Sequence, residues 1–391
     1  MVSGQIYIVG PCAAESREQV LETARQIIGV LRDRLRLTED RPLTLTEQRP
    51  AAPDRTKTEL PDRLIFRAGV WKPRTNPNTF QGIGNKALEW LTEVKQRYGL
   101  PIATEVATAE HVEAAMQAGI DYLWIGARTS ANPIAVSAIA EKIADRLRMT
   151  EQRPLTLTEQ RPAAPDRTKT ELPLKGILIK NPVNKDAALW LGNIERLEKT
   201  GVNVYAVHRG CGHEPCWSMA HQVRLARPDI PMLLDPSHMS GDAAQVPVLM
   251  EKIAELGLDG AMIEVHNHPA EALSDAKQQI TPEELSAALT EQRPASPDRT
   301  KTANADRLEL NWLRAEIDEL DEHLWDTIAA RMEVSQRIGA WKKAHGVAPL
   351  QPERYQMIVE KIKDRSADRT QTDFALRLYD LIHEESLRQQ I

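Results

Sequence analysis

Short apolar runs alternate with amphipathic stretches along the first 288 residues of the chain. Each run has the length and composition of a buried strand, because it is apolar and bounded by polar or turn-forming residues. The eight runs are QIYIVG (5–10), LIFRAG (64–69), PIATEV (101–106), YLWIGA (122–127), GILIKN (176–181), VNVYAV (202–207), PMLLDP (231–236) and GAMIEV (260–265). Helical periodicity lies between them, for instance in residues 85–99 and 109–119. Eight strands separated by helices predict an α/β fold, a closed parallel (β/α)8 barrel of the TIM type.

The last part of the chain has a purely helical pattern. Residues 308–343 predict one long amphipathic helix, a second helix is predicted after Pro352, and a third from about Asp373 to Gln390. The apolar positions of the first helix are Leu313, Ile317, Leu320, Leu324, Ile328 and Ala329. Three helices, one of them this long, seldom form a stable core alone. We therefore expect a homodimer through the helical domain, or a higher homo-oligomer.

One segment of the sequence recurs. Residues 33–61 return at 145–173 with two changes, and a shorter copy occupies 289–302. The copies are rich in proline, threonine and charge, so they bury too little apolar surface to offset the entropy of ordering. They are predicted to be disordered inserts; the alternative is a duplicated binding motif, whose deletion would disrupt binding.

The inserts divide the chain into predicted domains. The barrel spans 1–288, with inserts at about 36–61 and 148–173. A linker at 289–306 contains the third copy, and the helical domain spans 307–391.

Composition narrows the class of protein. With 41% hydrophobic and 27% charged residues, the chain is predicted to be a soluble globular protein. A net charge of −6 argues against a general nucleic-acid or membrane surface, so any basic site must be local. The sequence lacks an apolar run of membrane-spanning length and a signal-peptide pattern. Three cysteines are too few for a disulfide framework, so a cytoplasmic location is expected.

Reactive side chains gather at one end of the predicted strands. Those at or just past a C-terminal strand end are Cys12, Arg67, Lys72, Arg74, Glu105, Arg128, Lys180, His208, Arg209, Asp235, His238, Glu264 and His266. In a barrel of this type, that end holds the active site. The first two inserts precede strands 2 and 5, so they are predicted to leave from the opposite end.

Six of these residues are cations. They are Arg67, Lys72, Arg74, Arg128, Lys180 and Arg209. Arginine matches phosphate and carboxylate oxygens with a planar fork, and lysine adds a point charge. Because six cations at one rim would repel one another, the number favours two anionic substrates.

A second group has the chemistry of metal ligands. Its members are Cys12, His238, Glu264 and Asp275. Thiolate, imidazole and carboxylate together suit Mn²⁺, Fe²⁺, Zn²⁺ or Co²⁺ better than Ca²⁺. A rival zinc site is Cys211, His213 and Cys216 in CGHEPC, which lacks a fourth ligand.

The motifs that carry these residues resemble a known family. GPCAAES, FRAGVWKPRT, ATEV, WIGART, LIKNP, VHRG, DPSH and IEVHNHPAEALSDAKQQ occur in this order. They resemble 3-deoxy-D-arabino-heptulosonate 7-phosphate (DAHP) synthases of type I beta. The resemblance implies condensation of phosphoenolpyruvate with D-erythrose 4-phosphate, the first step of the shikimate pathway. It also implies that Cys12, His238, Glu264 and Asp275 bind a divalent metal, with Mn²⁺ expected.

The same resemblance assigns the cations. It implies that Arg128, Lys180 and Arg209 hold the phosphate of phosphoenolpyruvate. Lys72 and Arg67 would face its carboxylate. Arg74 and Thr75 would take the phosphate of the aldose. As hypotheses, Lys72 protonates the aldehyde oxygen and Glu105 positions water. The runner-up is a 3-deoxy-manno-octulosonate 8-phosphate synthase, which uses a pentose phosphate.

The helical domain carries a second resemblance. LRAEIDELDEHLWDTIAAR, IGAWK, PER and HEESLRQQ resemble chorismate mutases of the all-helical type. Motif by motif, the cations that grip chorismate are Arg314, Arg331, Lys342 and Arg354, and the remaining polar wall is Ser386 and Gln390. Tyr355 and Gln351 depart from the usual Glu and Asp, which puts contacts to the substrate hydroxyl in doubt.

Three functional readings follow from these resemblances. The first is a bifunctional enzyme that also rearranges chorismate to prephenate. In the second, the helical domain only binds chorismate or prephenate as a regulatory module. In the third, the inserts have inactivated the barrel.

Overall fold

The computed structural model describes residues 5–35, 64–73, 78–151, 174–291, 301–365 and 368–390. The chain forms two compact units, Met1–Leu313 and Arg314–Ile391. Among the described residues, no helix has both the length and the apolar character needed to cross a membrane.

Eight parallel strands form the centre of the first unit. They are β1 (Ile6–Gly10), β2 (Leu64–Arg67), β3 (Ile102–Val106), β4 (Tyr122–Ile125), β5 (Gly176–Lys180), β6 (Val204–His208), β7 (Met232–Leu234) and β8 (Gly260–Glu264). Each strand pairs with the next in the sequence, and β1 also pairs with β8. The sheet is therefore a closed barrel, which confirms the predicted fold class.

Helices connect the strands and continue into the second unit. They are α1 (Arg17–Leu35), α2 (Lys86–Tyr98), α3 (Ala109–Gln117), α4 (Ala127–Ser130), α5 (Pro133–Glu151), α6 (Ala187–Glu198), α7 (Trp217–Ala226), α8 (Pro236–Ser240), α9 (Val246–Glu255), α10 (Pro282–Glu291), α11 (Lys301–Ala344), α12 (Pro352–Arg365) and α13 (Arg369–Arg388). Short 3-10 turns lie at Ala243–Gln245, Pro269–Glu271 and Ala276–Gln278.

The barrel interior is a packed core. One buried side chain from each strand contributes to it: Ile8, Ile65, Ala103, Trp124, Leu178, Val207, Leu233 and Met262. Strand side chains alternate between the interior and the surrounding helices, so these eight positions fix the register. The core leaves room for a site only at an end of the barrel, where the loops begin.

A close backbone contact brings β1 against β2 at that end. Gly10 has a φ of 146°, and a Cβ atom there would lie 2.2 Å from the carbonyl oxygen of Arg67. Only glycine permits this approach. It places Cys12, two residues later, beside the end of β2.

Some element boundaries differ from the sequence prediction. Helix α5 continues to Glu151, into the segment predicted to be the second insert. The long helix α11 begins at Lys301 rather than near residue 308. Helix α13 begins at Arg369 because the Asp368 side chain accepts a hydrogen bond from the backbone of Gln371, at 2.8 Å, and caps the helix. Most residues of the three repeated copies lie outside the described part of the chain.

The beginning of α11 packs within the first unit. Trp312 is 3% exposed. Its ring stacks on His221, with centroids 5.3 Å apart, and meets Trp217 edge-on at 6.2 Å. The beginning of α11 therefore packs against α7, the helix that begins at Trp217.

The apolar face predicted for α11 is largely exposed in the second unit. Ile317, Leu320 and Leu324 are 58%, 64% and 49% exposed, and Trp325 is 71% exposed. A helix face of this composition needs apolar contacts that one copy of the helical unit does not supply.

Candidate active site

A pocket opens at the C-terminal ends of the barrel strands. Its volume is about 430 Å³. Eight residues predicted for the site line it: Arg67, Lys72, Glu105, Arg128, Lys180, Arg209, His238 and Asp275. Arg74 and Thr75 lie outside the described residues. The pocket therefore gathers side chains from loops that are far apart in the sequence.

Four metal-type ligands meet at one edge of this pocket. One ligand atom from each of Cys12, Glu264 and Asp275 lies within 4.8 Å of the other two. The Cys12 thiol donates to Oδ2 of Asp275 at 2.9 Å. His238 joins this group through its Nε2 atom, which is 3.6 Å from Oε1 of Glu264.

The surroundings of Glu264 fit a bound cation. Its side chain is fully buried, and its Oε2 atom has no hydrogen-bond partner among the described residues. A buried carboxylate oxygen in that condition is costly unless something positive binds it. With a thiol, an imidazole and a second carboxylate beside it, the donor set is one that a divalent transition metal accepts.

The surroundings shift the pKa values of the Cys12 thiol and the Glu264 carboxyl in opposite directions. Burial raises the pKa of the Cys12 thiol well above its usual range, and Glu264 adds to the effect. Burial also opposes ionisation of Glu264, but interactions with His238 and Arg67 outweigh it and lower the pKa of that carboxyl. The carboxylate is thus ready to bind a cation, whereas the thiol must lose its proton to do so.

Asp235 holds His238 in place, a role that the sequence analysis did not assign. It caps α8, and Oδ1 accepts from the backbone N–H and from Nδ1 of His238, both at 3.1 Å. Because a carboxylate can only accept, Nδ1 carries the proton and Nε2 faces Glu264 as a potential ligand. Burial opposes ionisation of Asp235, but His238 and Lys180 hold its pKa well below the usual range.

Arg67 is a buried cation with unused donors. Its guanidinium is 3.2 Å from Oε1 of Glu264 and lies over the ring of Trp124, 4.6 Å from its centroid. Its Nε and Nη1 atoms have no hydrogen-bond partner among the residues that the structure describes. An anion in the pocket would satisfy them.

Lys72 and Glu105 both line the pocket, and Lys72 also contacts the ligand cluster. The Lys72 ammonium is 3.0 Å from both the sulfur and the carbonyl oxygen of Cys12. Burial lowers the pKa of this ammonium, but Cys12, Glu105 and Glu264 oppose the effect, and the net pKa is raised. Lys72 therefore keeps its proton at neutral pH.

The other three cations approach the pocket from β4, β5 and β6. Lys180 forms a buried ion pair with Asp235 at 2.6 Å. Arg209 is oriented by its backbone N–H, which donates to the Asn181 side chain at 2.7 Å. Arg128 is exposed and 3.4 Å from the Pro73 carbonyl. These side chains have the reach to bind an anion from several sides.

The alternative zinc site at CGHEPC has no matching cluster. Cys211 and Cys216 are buried, whereas His213 is exposed and lines the pocket. Within the described residues, the only group of three metal-type ligands close enough to share an ion is Cys12, Glu264 and Asp275.

A polar cluster also forms in the helical unit, between α11 and α13. Arg331 donates to the Ser386 hydroxyl and, at 3.3 Å, to the Ile382 carbonyl. Lys342 donates to the Gln390 side chain at 3.0 Å. Four of the six residues predicted for this site are thus brought together.

Arg354 lies near this cluster and Arg314 does not. Burial raises the pKa of Tyr379, while Arg331 and Arg354 both act to lower it, so the two cations share one neighbourhood. Arg314 precedes Arg331 by seventeen residues on the same helix. At about 1.5 Å per residue their Cα atoms are about 25 Å apart, beyond the reach of an arginine side chain.

The fold and the site define a (β/α)8 barrel with an enzyme-like pocket for anions beside a potential divalent-metal centre. The chain belongs to the DAHP synthetase I family, which matches residues 50–144 and 176–295, and its residues 313–391 match the family described as chorismate mutase type II. Both resemblances inferred from the motifs are confirmed.

Individual relatives agree with these families. The phospho-2-dehydro-3-deoxyheptonate aldolase of Thermotoga maritima is 27% identical over 273 residues, which cover 70% of this chain and 64% of that relative. The 4-amino-4-deoxychorismate mutase of Streptomyces venezuelae is 38% identical over 81 residues, 20% of this chain and 79% of the relative. A crystal structure of the Thermotoga maritima aldolase (DAHP synthase) superimposes with a TM-score of 0.53 at 23% identity, covering 74% of this chain and 68% of that one. This last similarity concerns the fold.

Proposed function

We propose that the barrel condenses phosphoenolpyruvate with D-erythrose 4-phosphate to DAHP and inorganic phosphate. We propose further that the helical unit rearranges chorismate to prephenate. The observation that carries the first proposal is the convergence of Cys12, His238, Glu264 and Asp275 at the edge of a cationic pocket. Membership of the two families supports both activities.

The barrel residues have defined tasks in this reaction. Arg128, Lys180 and Arg209 would bind the phosphate of phosphoenolpyruvate, and Arg67 its carboxylate. The C3 atom of phosphoenolpyruvate then forms a bond to the aldehyde carbon of the aldose. The aldehyde oxygen takes a proton from the Lys72 ammonium. Water, positioned by Glu105, adds at C2, and the C2–O bond to the phosphate breaks. One water proton passes to the departing phosphate and the other restores the Lys72 ammonium, which leaves C2 as the ketone carbon of the product. A metal held by the four ligands would supply Lewis acidity towards the aldehyde oxygen.

The nature of the metal belongs to this proposal. The mixed sulfur, nitrogen and oxygen donors support a transition metal, and we propose Mn²⁺, with Fe²⁺, Zn²⁺ and Co²⁺ as alternatives. The three free cysteines support a reducing compartment, so we propose a cytoplasmic location.

The helical unit would act by holding its substrate in shape. A pericyclic rearrangement needs no nucleophile, so cations that bind two carboxylates and the breaking ether oxygen are sufficient. Arg331, Lys342 and Arg354 supply the charge, and Ser386 and Gln390 already bind two of these cations in the free site.

We propose that this unit is a homodimer that completes its own sites. The exposed apolar face of α11 fits a second copy, since it carries Ile317, Leu320 and Leu324 at 49–64% exposure. Arg314 is too far from Arg331 to join the cluster of its own chain. In a dimer of antiparallel helices, Arg314 would reach the cluster of the partner.

Phosphate release tests the barrel reaction. Purified protein with phosphoenolpyruvate, erythrose 4-phosphate and Mn²⁺ should release phosphate and form DAHP, and Cys12→Ala should lose both turnover and Mn²⁺ binding. Cys211→Ala, a buried cysteine outside the ligand cluster, is the matched control. Full activity of Cys12→Ala would refute the metal assignment. A preference for arabinose 5-phosphate over erythrose 4-phosphate would favour the octulosonate reaction.

The disappearance of chorismate tests the helical unit. The intact protein should convert chorismate, Arg331→Ala should abolish conversion, and Arg337→Ala, an exposed arginine on the same helix, should not. A unit that serves only in regulation would bind chorismate without any mutase rate in the intact chain.

A further inference from the structure

Two of the proposed metal ligands, Cys12 and Asp275, lie outside the strands, in the segments that follow β1 and β8. Cys12 and Asp275 are 263 residues apart in the sequence, yet their side chains are 2.9 Å apart. Asp275 follows β8 in an irregular segment and has a φ of 52°, a left-handed conformation that is uncommon for residues other than glycine and that aspartate tolerates better than most. Its position therefore depends on side chains that hold this segment against the Cys12 loop.

The Gln279 side chain joins the two segments directly. Its Oε1 atom accepts from the backbone N–H of Cys12 at 2.9 Å, and its Nε2 atom donates to the carbonyl oxygen of Ser274 at 2.9 Å. Gln279 is 2% exposed, so both hydrogen bonds are shielded from water. One amide thus connects a ligand residue, Cys12, to the residue immediately before another ligand, Asp275.

The chemistry of these contacts requires a primary amide. A backbone N–H can only donate and a carbonyl oxygen can only accept, so the side chain between them must offer one acceptor and one donor. A carboxylate would keep the contact to Cys12 but repel the Ser274 carbonyl. An apolar side chain of similar volume would leave two buried backbone groups unpaired.

The ends of the Asp275 segment are held independently of this amide. Ile280 pairs with β8 through its backbone, since its N–H donates to the Glu264 carbonyl at 3.0 Å. Earlier in the segment, the Leu273 N–H donates to the Glu15 carboxylate at 2.8 Å. Loss of the Gln279 contacts should therefore loosen the spacing of the ligands without unfolding the segment.

We propose that Gln279 is a positioning residue that sets the separation of Cys12 and Asp275 and thereby the affinity for the divalent metal. The inference rests on the proposed metal role of these two residues. Gln279 touches neither substrate nor metal; it acts through the two ligands that its amide connects. Side chains that orient metal ligands in this way typically change metal affinity or activity by about 10–100-fold when they are replaced.

Calorimetric titration of metal-free protein with Mn²⁺ tests the proposal. We expect Gln279→Leu to raise the Kd for Mn²⁺ by about 10–100-fold. The metal-free variant should still fold, with a lower melting temperature because two buried backbone groups lose their partners. Gln279→Glu, which keeps the acceptor for Cys12 and is nearly isosteric, should raise the Kd as well. Gln26→Leu, a partly buried amide on α1, is the matched control and should bind Mn²⁺ like the wild type.

Titration with Co²⁺ adds a spectroscopic readout. Thiolate-to-Co²⁺ charge-transfer absorption reports coordination by Cys12, and its midpoint should shift to higher Co²⁺ in both Gln279 variants. If Gln279→Leu does not fold, the metal affinity of Gln279→Glu alone tests the proposal. A Kd equal to that of the wild type in a folded Gln279 variant would overturn the inference while leaving the metal site standing. Absence of Mn²⁺ binding by the wild type would overturn both.

Discussion

At the scale of single residues, the absence of a side chain at Gly126 leaves room for the carboxylate of Glu105. A Cβ atom at residue 126 would be 2.2 Å from Oε1 of Glu105. Gly126→Ala should therefore displace this carboxylate and reduce kcat/KM for the condensation by about 10²–10⁴-fold, the usual contribution of a group in acid–base work. Steady-state phosphate release measures the effect.

A double-variant comparison separates this cause from general damage. If the methyl group acts only through Glu105, adding Gly126→Ala to Glu105→Ala should cost little further activity. Additive losses would show that Gly126 matters for another reason.

Individual side chains also mark the limit of prediction from sequence. Cys12, His238 and Glu264 could be placed in advance, because they lie at or just past the ends of predicted strands and a parallel barrel brings all strand ends to one face. The roles of Asp235 and Gln279 could not be. Each depends on a hydrogen bond whose partner is fixed only by the rotamer and by loops distant in sequence. The one local signal for Asp235 was its position three residues before His238, as the capping residue of a short helix.

At the scale of elements, the end of β6 contains a histidine that folding keeps neutral. His208 is fully buried beside Trp217, and its Nε2 donates to the Pro215 carbonyl at 2.6 Å. Burial lowers its pKa from 6.5 to about 4. Between these values the unfolded chain binds more protons than the folded one.

The barrel should accordingly lose stability as the pH falls from 6.5 to about 4. The contribution of His208 is complete above pH 6.5 and declines below it by at most about 1.4 kcal/mol per pH unit. His208→Gln, which cannot titrate, should flatten this dependence in denaturant unfolding measured across the range. His268→Gln, at an exposed position, should leave the slope unchanged; equal slopes for all three proteins would contradict the assignment.

Strand and helix positions were largely predictable, and the boundaries that failed have local causes. The strands were found because continuous apolar runs between helices are typical of a barrel interior. The start of α11 was missed because its first two residues, 301–302, belong to the repeated, polar segment. The tertiary contact in this part of α11 lies about three turns further on, where Trp312 packs against His221 and Trp217.

At the scale of the whole molecule, the proposed dimer makes a complementation test possible. Arg314→Ala and Arg331→Ala should each abolish the mutase activity. If Arg314 acts on the partner's cluster, a mixed dimer has one site with both defects and one site with none. Unfolding and refolding the two variants together should then restore about one quarter of the wild-type rate. No recovery, with mixed dimers shown to form, would place both arginines in the same site.

The inserted segments can be tested at the same scale. They join the barrel before β2 and β5, at the end opposite to the pocket. Replacing residues 152–173 by a short glycine–serine linker should therefore leave kcat/KM for phosphate release within about threefold of the wild type. A large loss would favour the alternative of a duplicated binding motif.

The closed sheet gives the barrel two ends with separate tasks. Reaction chemistry depends on the loops that follow the strands, whereas the loops that precede them only return the chain to the sheet. Length added on the return side costs little, because loop-closure entropy grows slowly with the number of residues. That side is consequently where an affinity tag or a fluorescent reporter could be built into the middle of this chain, leaving both termini unmodified.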